Sequence, residues 1–158
     1  MASLADKQKE QLIKAALEGK EFSYSPYSKF RVGAALLASD GTIIKGANIE
    51  NASYGGTICA ERTAIVKSVS EGKRSFAALA VVTDVKSAIS PCGLCRQVIR
   101  EFCAQDMPIL LVPADYPQAS GKPEDAMNRS GGVKQTSIGE LLPDSFGPEH
   151  LDLPRGPT

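Results

Sequence analysis

The sequence predicts a single α/β domain built on one mixed sheet with helices on both faces. Three observations predict it. The chain has 158 residues, enough for one domain with a sizeable core. The first strand candidate, Phe30 to Ala38, is apolar on both sides: Phe30, Val32, Ala34 and Leu36 alternate with Gly33, Ala35 and Leu37, which suits burial on both faces. The order of elements, a helix and a hairpin followed by alternating helix and strand, belongs to a covered mixed sheet.

Each element has a local reason. Ser3 is a suitable N-cap for a first helix, and Asp6 in its first turn complements the helix dipole. Leu12, Ile13, Ala16 and Leu17 recur at helical spacing before Gly19 stops the pattern. Ser25 to Ser28 is a loop. Asp40-Gly41 is a hairpin turn between the first strand and a return over Thr42 to Ala47. Asn48 to Gly56 is a loop, after which Thr57 caps a helix from Ile58 to Glu71, ended by Gly72. Phe76 to Thr83 is a strand. Ser90 as N-cap and Pro91 as first helical residue open another helix, with Val98, Ile99 and Phe102 as its apolar stripe. Ile109 to Val112 is a short buried strand. A polar connection runs from Ala114 to Gly132, with a turn or two of helix over Lys122 to Arg129, and one more strand is expected. Ser137-Ile138-Gly139-Glu140 reads as a capping box for a short helix before Pro143, and Pro148 to Thr158 as a turn and a tail beginning near Asp152. One domain spans residues 1–158.

Charge and cysteine usage narrow the function. Eighteen basic side chains balance eighteen acidic ones, which argues against a nucleic-acid-binding protein. No run is long and apolar enough for a bilayer, and the N-terminus reads as an amphipathic helix rather than a signal peptide. These features place the protein in the cytoplasm. In a reducing compartment four cysteines are metal ligands or core thiols rather than disulfides.

Three of those cysteines stand near predicted helix starts. Cys92 and Cys95 are three apart, so both thiols reach one ion, and the helix N-terminus favours the thiolate. Alone, that spacing also fits a redox pair, half a structural zinc knuckle or two core residues. Cys59, after its own strand and loop, supplies a third ligand if the two helices start at one sheet edge. Three protein ligands and an open position are the catalytic zinc pattern, whereas structural sites close with four. Cys103 lies about two turns further along its helix and reads as a core thiol. His150, the single histidine, reads as exposed. Glu61 alone would be a first-turn carboxylate facing the dipole. Beside a zinc site it becomes the group that moves protons. Arg62 or Arg96 could donate to a thiolate, and the spacing does not choose between them.

These residues resemble a known family. Cys59-Ala60-Glu61 with Pro91-Cys92-Gly93-Leu94-Cys95 is similar to the signature of the zinc-dependent cytidine deaminases in its all-cysteine, small homotetrameric form. The resemblance extends to Phe30–Leu36, Asn48–Ala52, Cys59–Ile65, Ser90–Ile99 and Leu141–Phe146, and covers about residues 10–151. It implies a three-layer α/β/α fold with a mixed five-stranded sheet, and one zinc per chain on Cys59, Cys92 and Cys95. The implied reaction is hydrolysis of cytidine and deoxycytidine to the uridines and ammonia, a step of pyrimidine salvage. Glu61 would shuttle protons, the Ala60 backbone would meet the pyrimidine O2 and the Ser90 carbonyl the amino group. Phe30 would pack on the nucleoside, and Asn48 and Glu50 would bind its ribose. Tyr54 and Phe146 would complete a neighbouring subunit's pocket in a homotetramer with shared active sites. Arg62 and Gln97 would temper the thiolates, which settles the arginine choice. The long 114–132 connection departs from the family's bacterial members, and Ala47 stands where a small residue, often Cys, precedes Asn-Ile-Glu.

Three rivals remain at this point. A deaminase of modified nucleosides is disfavoured by Asn48, Glu50 and the Leu-Leu-Pro-x-x-Phe ending. A polynucleotide-editing deaminase is disfavoured by the neutral charge. A non-enzymatic zinc module would need a closed, four-ligand site.

Overall fold

The computed structural model describes residues 4–118 and 130–154. Within them the chain forms α1 (Asp6–Lys20), β1 (Gly33–Ala38), β2 (Ile43–Ala47), α2 (Ala60–Ser70), β3 (Phe76–Val82), α3 (Gly93–Phe102), β4 (Pro108–Val112), β5 (Lys134–Ser137) and α4 (Ile138–Leu141), with short 3-10 turns at Tyr54–Gly56, Ser130–Gly132 and Pro148–Asp152. The strands form one five-stranded sheet in the order β2-β1-β3-β4-β5. Only β3 and β4 are parallel, and α3 makes the crossover that a parallel pair requires. No helix among the described residues is long and apolar enough to cross a membrane.

Every residue of β1 is buried, as its two-sided apolar pattern predicts. Ala35 and Leu37 pack with Leu12, Ile13 and Ala16 of α1 on one face. Ala34 and Leu36 pack with Ala60, Ala64 and Ile65 of α2 and Ile99 of α3 on the other. Two hydrophobic layers therefore lie on opposite sides of one sheet, giving the three-layer arrangement expected.

The register decides where the loops emerge. Gly33, the first residue of β1, stands opposite Ala47 at the end of β2 and Val82 at the end of β3. Both neighbours run antiparallel to β1, so both finish at the same sheet edge and release their following loops there. Two glycines hold the helices close to this corner. A Cβ on Gly33 would lie 2.2 Å from the Ala16 carbonyl oxygen, and a Cβ on Gly46 would lie 2.3 Å from that of Ala60. The backbones of α1 and α2 thus press directly on the hairpin.

Several boundaries differ from expectation. β1 starts at Gly33, not Phe30, because the Asn48 side chain takes the place of ladder partners. Its Oδ1 accepts the Val32 N–H at 2.8 Å and its Nδ2 donates to the Phe30 carbonyl at 2.9 Å. α1 is preceded by Ala5 with no side-chain cap; Ser3 lies outside the described residues. The cap of α2 is Cys59, not Thr57, because Ile58 is still paired with Ile49 in an extended bridge, while the Thr57 hydroxyl accepts from the Asn51 N–H. The cap of α3 is Cys92, not Ser90. Arg96 holds Ser90 and Pro91 extended by donating to the Ser90 hydroxyl and the Pro91 carbonyl, each at 2.8 Å. The hairpin turn is as expected, with Gly41 at φ 87°. Ser137 caps α4 by accepting the Glu140 N–H at 3.3 Å, but the Glu140 carboxylate accepts from Thr136 instead of closing the box. The turn suggested over Lys122 to Arg129 and the end of the tail lie outside the described residues.

A charged cluster ties the working edge together. Lys20, buried at the end of α1, donates to the Thr83 carbonyl at 3.2 Å and lies 3.3 Å from the Asp84 carboxylate. Asp84 also accepts the Arg31 N–H at 2.9 Å and the Arg31 guanidinium at 3.0 and 3.2 Å. Burial pushes the Asp84 carboxyl up, but these donors outweigh it and hold the group below the usual carboxylate range. Asp84→Asn leaves the Lys20 ammonium without its counter-charge and is expected to lower stability by ~2 kcal/mol in urea unfolding. A folded carboxyl more acidic than the unfolded one stabilises fully above about pH 4 and loses that contribution as pH falls through its lower folded value. The gap between the two proteins should therefore narrow in acid. An unchanged urea midpoint at neutral pH would remove Asp84 from the stability account.

Candidate active site

The two loops released beside Gly33 end in the two helix starts, and both helices begin on cysteine. Cys59 precedes α2 and Cys92 precedes α3, each in extended conformation and each accepting the first helical bond through its carbonyl, from Thr63 at 3.0 Å and Arg96 at 2.9 Å. Neither thiol caps its own helix, so both are available to face outward. Cys95 is three residues into its helix, the position that lies opposite an N-cap side chain in any capping-box geometry. The Cys-x-x-Cys spacing therefore converges because one sulfur occupies the cap and the other the third helical position.

The three sulfurs lie within 4.8 Å of one another, and no disulfide joins them. Cys59 and Cys92 Sγ are 3.8 Å apart, the edge of a tetrahedron with metal–sulfur bonds of about 2.3 Å. Among the described residues no other group of this kind was found, and His150 takes no part in it. The His150 ring instead stands 5.7 Å from that of Phe146, and its Nδ1 accepts the Gly147 N–H at 3.0 Å. Three soft donors with no fourth side chain fit zinc with one open position.

The surroundings favour thiolate. A hydrogen bond from the Cys95 thiol, with the Arg62 guanidinium 3.8 Å from Cys59 Sγ, draws the Cys59 thiol down to about 5. The same bond, together with burial, pushes Cys95 up, so the proton resides on the buried sulfur. Arg62 also donates to the Thr57 carbonyl at 3.0 Å, while its Nε is buried without a partner. Two helix N-termini add their positive ends. Glu61 is buried in the first turn of α2, only 4% exposed. Burial raises its carboxyl to about 7, with the negative Cys59 adding to the rise. That value describes the chain alone; a dication on the sulfurs draws it down.

The remaining expected residues occupy varied positions. Ala60 is fully buried at the start of α2, and Phe30 and Ser90 are half-buried on the same sheet edge. Asn48 is buried, and besides Val32 and Phe30 it meets the Ser23 hydroxyl through Oδ1, which leaves one amide hydrogen unassigned. Glu50 accepts the Tyr27 N–H at 2.9 Å, the Ser28 N–H at 3.2 Å and the Ser28 hydroxyl. Tyr54 is 73% exposed and tilts against Tyr27, with ring centres 5.8 Å apart. Gln97 donates its amide to the Phe146 carbonyl at 3.0 Å, not to a sulfur. Arg96, offered by spacing as a thiolate donor, instead binds Ser90, Pro91 and Leu141. Its one sequence signal was its place four residues after the Cys92 carbonyl that starts the helix.

Zinc titration of the reduced chain should saturate at about one ion per chain. Cys92→Ser should abolish that stoichiometric binding. Cys103→Ser should keep it, since Cys103 lies in the apolar core with its thiol pushed up to about 12 by burial.

Known proteins share this sequence pattern and fold. The sequence pattern of the cytidine and deoxycytidylate deaminase zinc-binding region matches residues 6–111. The chain is 50% identical over 142 residues to a cytidine deaminase of Sporosarcina psychrophila, covering 90% of this chain and 93% of that one. It is 43% identical over 143 residues to a probable cytidine deaminase of Dictyostelium discoideum, covering 90% and 86%. Among solved structures, cytidine deaminase from Burkholderia pseudomallei superposes with a TM-score of 0.73 at 43% identity, over 87% of this chain and 98% of that one. With the pattern matched over residues 6–111 and relatives this similar across nine-tenths of its length, the chain belongs to the cytidine and deoxycytidylate deaminase zinc-binding family.

Proposed function

We propose that this single-domain chain hydrolyses cytidine and deoxycytidine to uridine and deoxyuridine with release of ammonia, a step of pyrimidine salvage. The observation that carries the reading is the buried Glu61 in the first turn of the helix that begins on Cys59, beside three converging thiols. Zinc on Cys59, Cys92 and Cys95 supplies the Lewis acidity that makes water a nucleophile at neutral pH.

The chain's own residues do the rest. Glu61 takes one proton of the attacking water and delivers it to ring N3 as the water oxygen bonds to C4. It then takes the remaining proton of that oxygen and gives it to the amino group, so the C4–N bond breaks, C4 keeps the oxygen as a carbonyl, and one water enters as one ammonia leaves. A carboxyl buried in the first turn beside the three thiols suits a group that must both accept and return a proton there. The Ala60 N–H, unpaired at a helix start, meets O2 of the base, and the Ser90 carbonyl accepts from the amino group. Arg62 offsets the negative charge of three thiolates.

Phe30 packs on the nucleoside. Asn48 and Glu50 address the ribose, and their bonds to Val32, Phe30, Tyr27 and Ser28 fix them for that task. Tyr54 and Phe146 complete the pocket of a neighbouring subunit in a homotetramer. Consistent with this, the Tyr54 and Phe146 rings are each more than half exposed on the isolated chain and free to meet a neighbouring subunit.

Three measurements test the proposal. Cytidine should lose its absorbance with the zinc-loaded protein and not after a strong chelator strips the metal. Conversion that survives full stripping, or none with metal, would sink the activity. Glu61→Gln should keep about one zinc per chain while turnover falls by ~10²–10⁴-fold or more. Near-normal turnover in that variant would assign the proton transfers elsewhere. Light scattering should give the mass of four chains, and a monomer that turns over normally would exclude shared pockets.

A further inference from the structure

The helix that carries two of the thiols also grips the C-terminal segment. Arg96, Gln97 and Arg100 stand on one side of α3, at spacings that make helical neighbours. Arg96 donates to the Leu141 carbonyl at 2.7 Å, and Gln97 to the Phe146 carbonyl at 3.0 Å. Arg100 donates from Nε to the Ser145 hydroxyl at 3.0 Å and pairs through NH2 with the Glu149 carboxylate. Its guanidinium lies so close beneath Gly147 that a Cβ there would come 2.4 Å from Cζ.

Arg100 is only 6% exposed. A buried guanidinium is costly unless paired, and an apolar residue would fill such a site more cheaply. What Arg100 achieves is directional. It donates to the Ser145 hydroxyl and lies against Gly147, the two neighbours of Phe146 in sequence, while Gln97 donates to the Phe146 carbonyl. The segment around Phe146 is thus held from both sides, yet its ring stays 56% exposed. The same helix sets Cys92 and Cys95 at its other end.

We propose that Arg100 is a positioning residue that sets where the Phe146 ring stands, and so governs nucleoside binding without touching the substrate. This rests on the reading that Phe146 lines a nucleoside pocket. It makes α3 a common rod, with the metal ligands of its own site at its start and the anchor of the aromatic wall of a neighbouring subunit's pocket at its end. A residue acting only through Phe146 alters binding more than the chemical step.

The test uses the zinc-loaded full chain and cytidine kinetics for wild type, Arg100→Ala, Phe146→Ala and the double variant. Arg100→Ala should raise KM about ten-fold, the factor an aromatic contact typically supplies, with kcat changed by no more than about two-fold. Zinc content and solution mass should be unchanged. Phe146→Ala should give a similar rise, and the double variant no further one. Glu149→Gln alters an exposed partner that folding tolerates and should raise KM in the same sense by less; it decides the matter if Arg100→Ala does not fold. An unchanged KM in both Arg100→Ala and Glu149→Gln, multiplying effects in the double variant, or loss of zinc from Arg100→Ala would overturn the proposal. An inactive wild type would instead overturn the functional reading beneath it.

Discussion

The site depends on one register: Gly33 paired with the last residue of β2 on one side and of β3 on the other. Because β1 is apolar and buried on both faces, its pattern alone does not fix this register; the glycine does, since a slip by one residue would bring a Cβ to the place of Gly33, 2.2 Å from the Ala16 carbonyl oxygen. Once locked, the loops after β2 and β3 leave from one edge, and the helices that follow cover one face. Two helix N-termini then adjoin. The sulfurs, the carboxylate and the guanidinium follow as first-turn residues of those helices, and their chemistry is set by place as much as by type. Glu61 is near neutrality because it is buried; in an exposed first turn it would be an ordinary carboxylate.

What was legible in the chain was what local rules determine. The Asp40-Gly41 turn and the Ser137 cap report on a few neighbouring residues and appear where expected, and the apolar run of β1 does so from Gly33 onward. The three thiols and Glu61 were legible because zinc chemistry restricts residue type and spacing tightly. Helix starts were less legible. Thr57 and Ser90 are better caps than cysteine by propensity, but bonds from Ile49 and Arg96, outside the capping segment, keep the chain extended past them. A propensity scale has no term for those contacts. The same holds for Asn48, whose side chain stands in for ladder bonds of Phe30 and Val32, and for Lys20, buried by Asp84 from far along the sequence.

Arginines were the hardest residues to place. Spacing offered Arg62 and Arg96 as equals, though one adjoins a sulfur and the other closes carbonyls. Both serve the same end. A helix start that presents thiols has no conventional cap, so its N–H groups and the strand leading into it must be steadied from elsewhere. Arg62 does this for the loop before α2 through the Thr57 carbonyl, and Arg96 for the loop before α3 through Pro91 and Ser90. Each cysteine at a cap position is accompanied by an arginine three or four residues on that reaches back.

Gly46 has a consequence for how such a sequence can change over time. The contact between Gly46 and the Ala60 carbonyl is backbone against backbone, with no side chain between them. Exchanges among the apolar residues of the core shift rotamers and volumes, and the layers adjust around them. Little of that adjustment reaches the seat of α2 on the hairpin, where the side chain nearest a Cβ on Gly46 is the single methyl of Ala64. The separation of Cys59 from the sheet is therefore insulated from drift in the interior, and wide divergence of the core is compatible with an unchanged metal geometry. Tolerance in the bulk and rigidity at the corner come from the same missing methyl group.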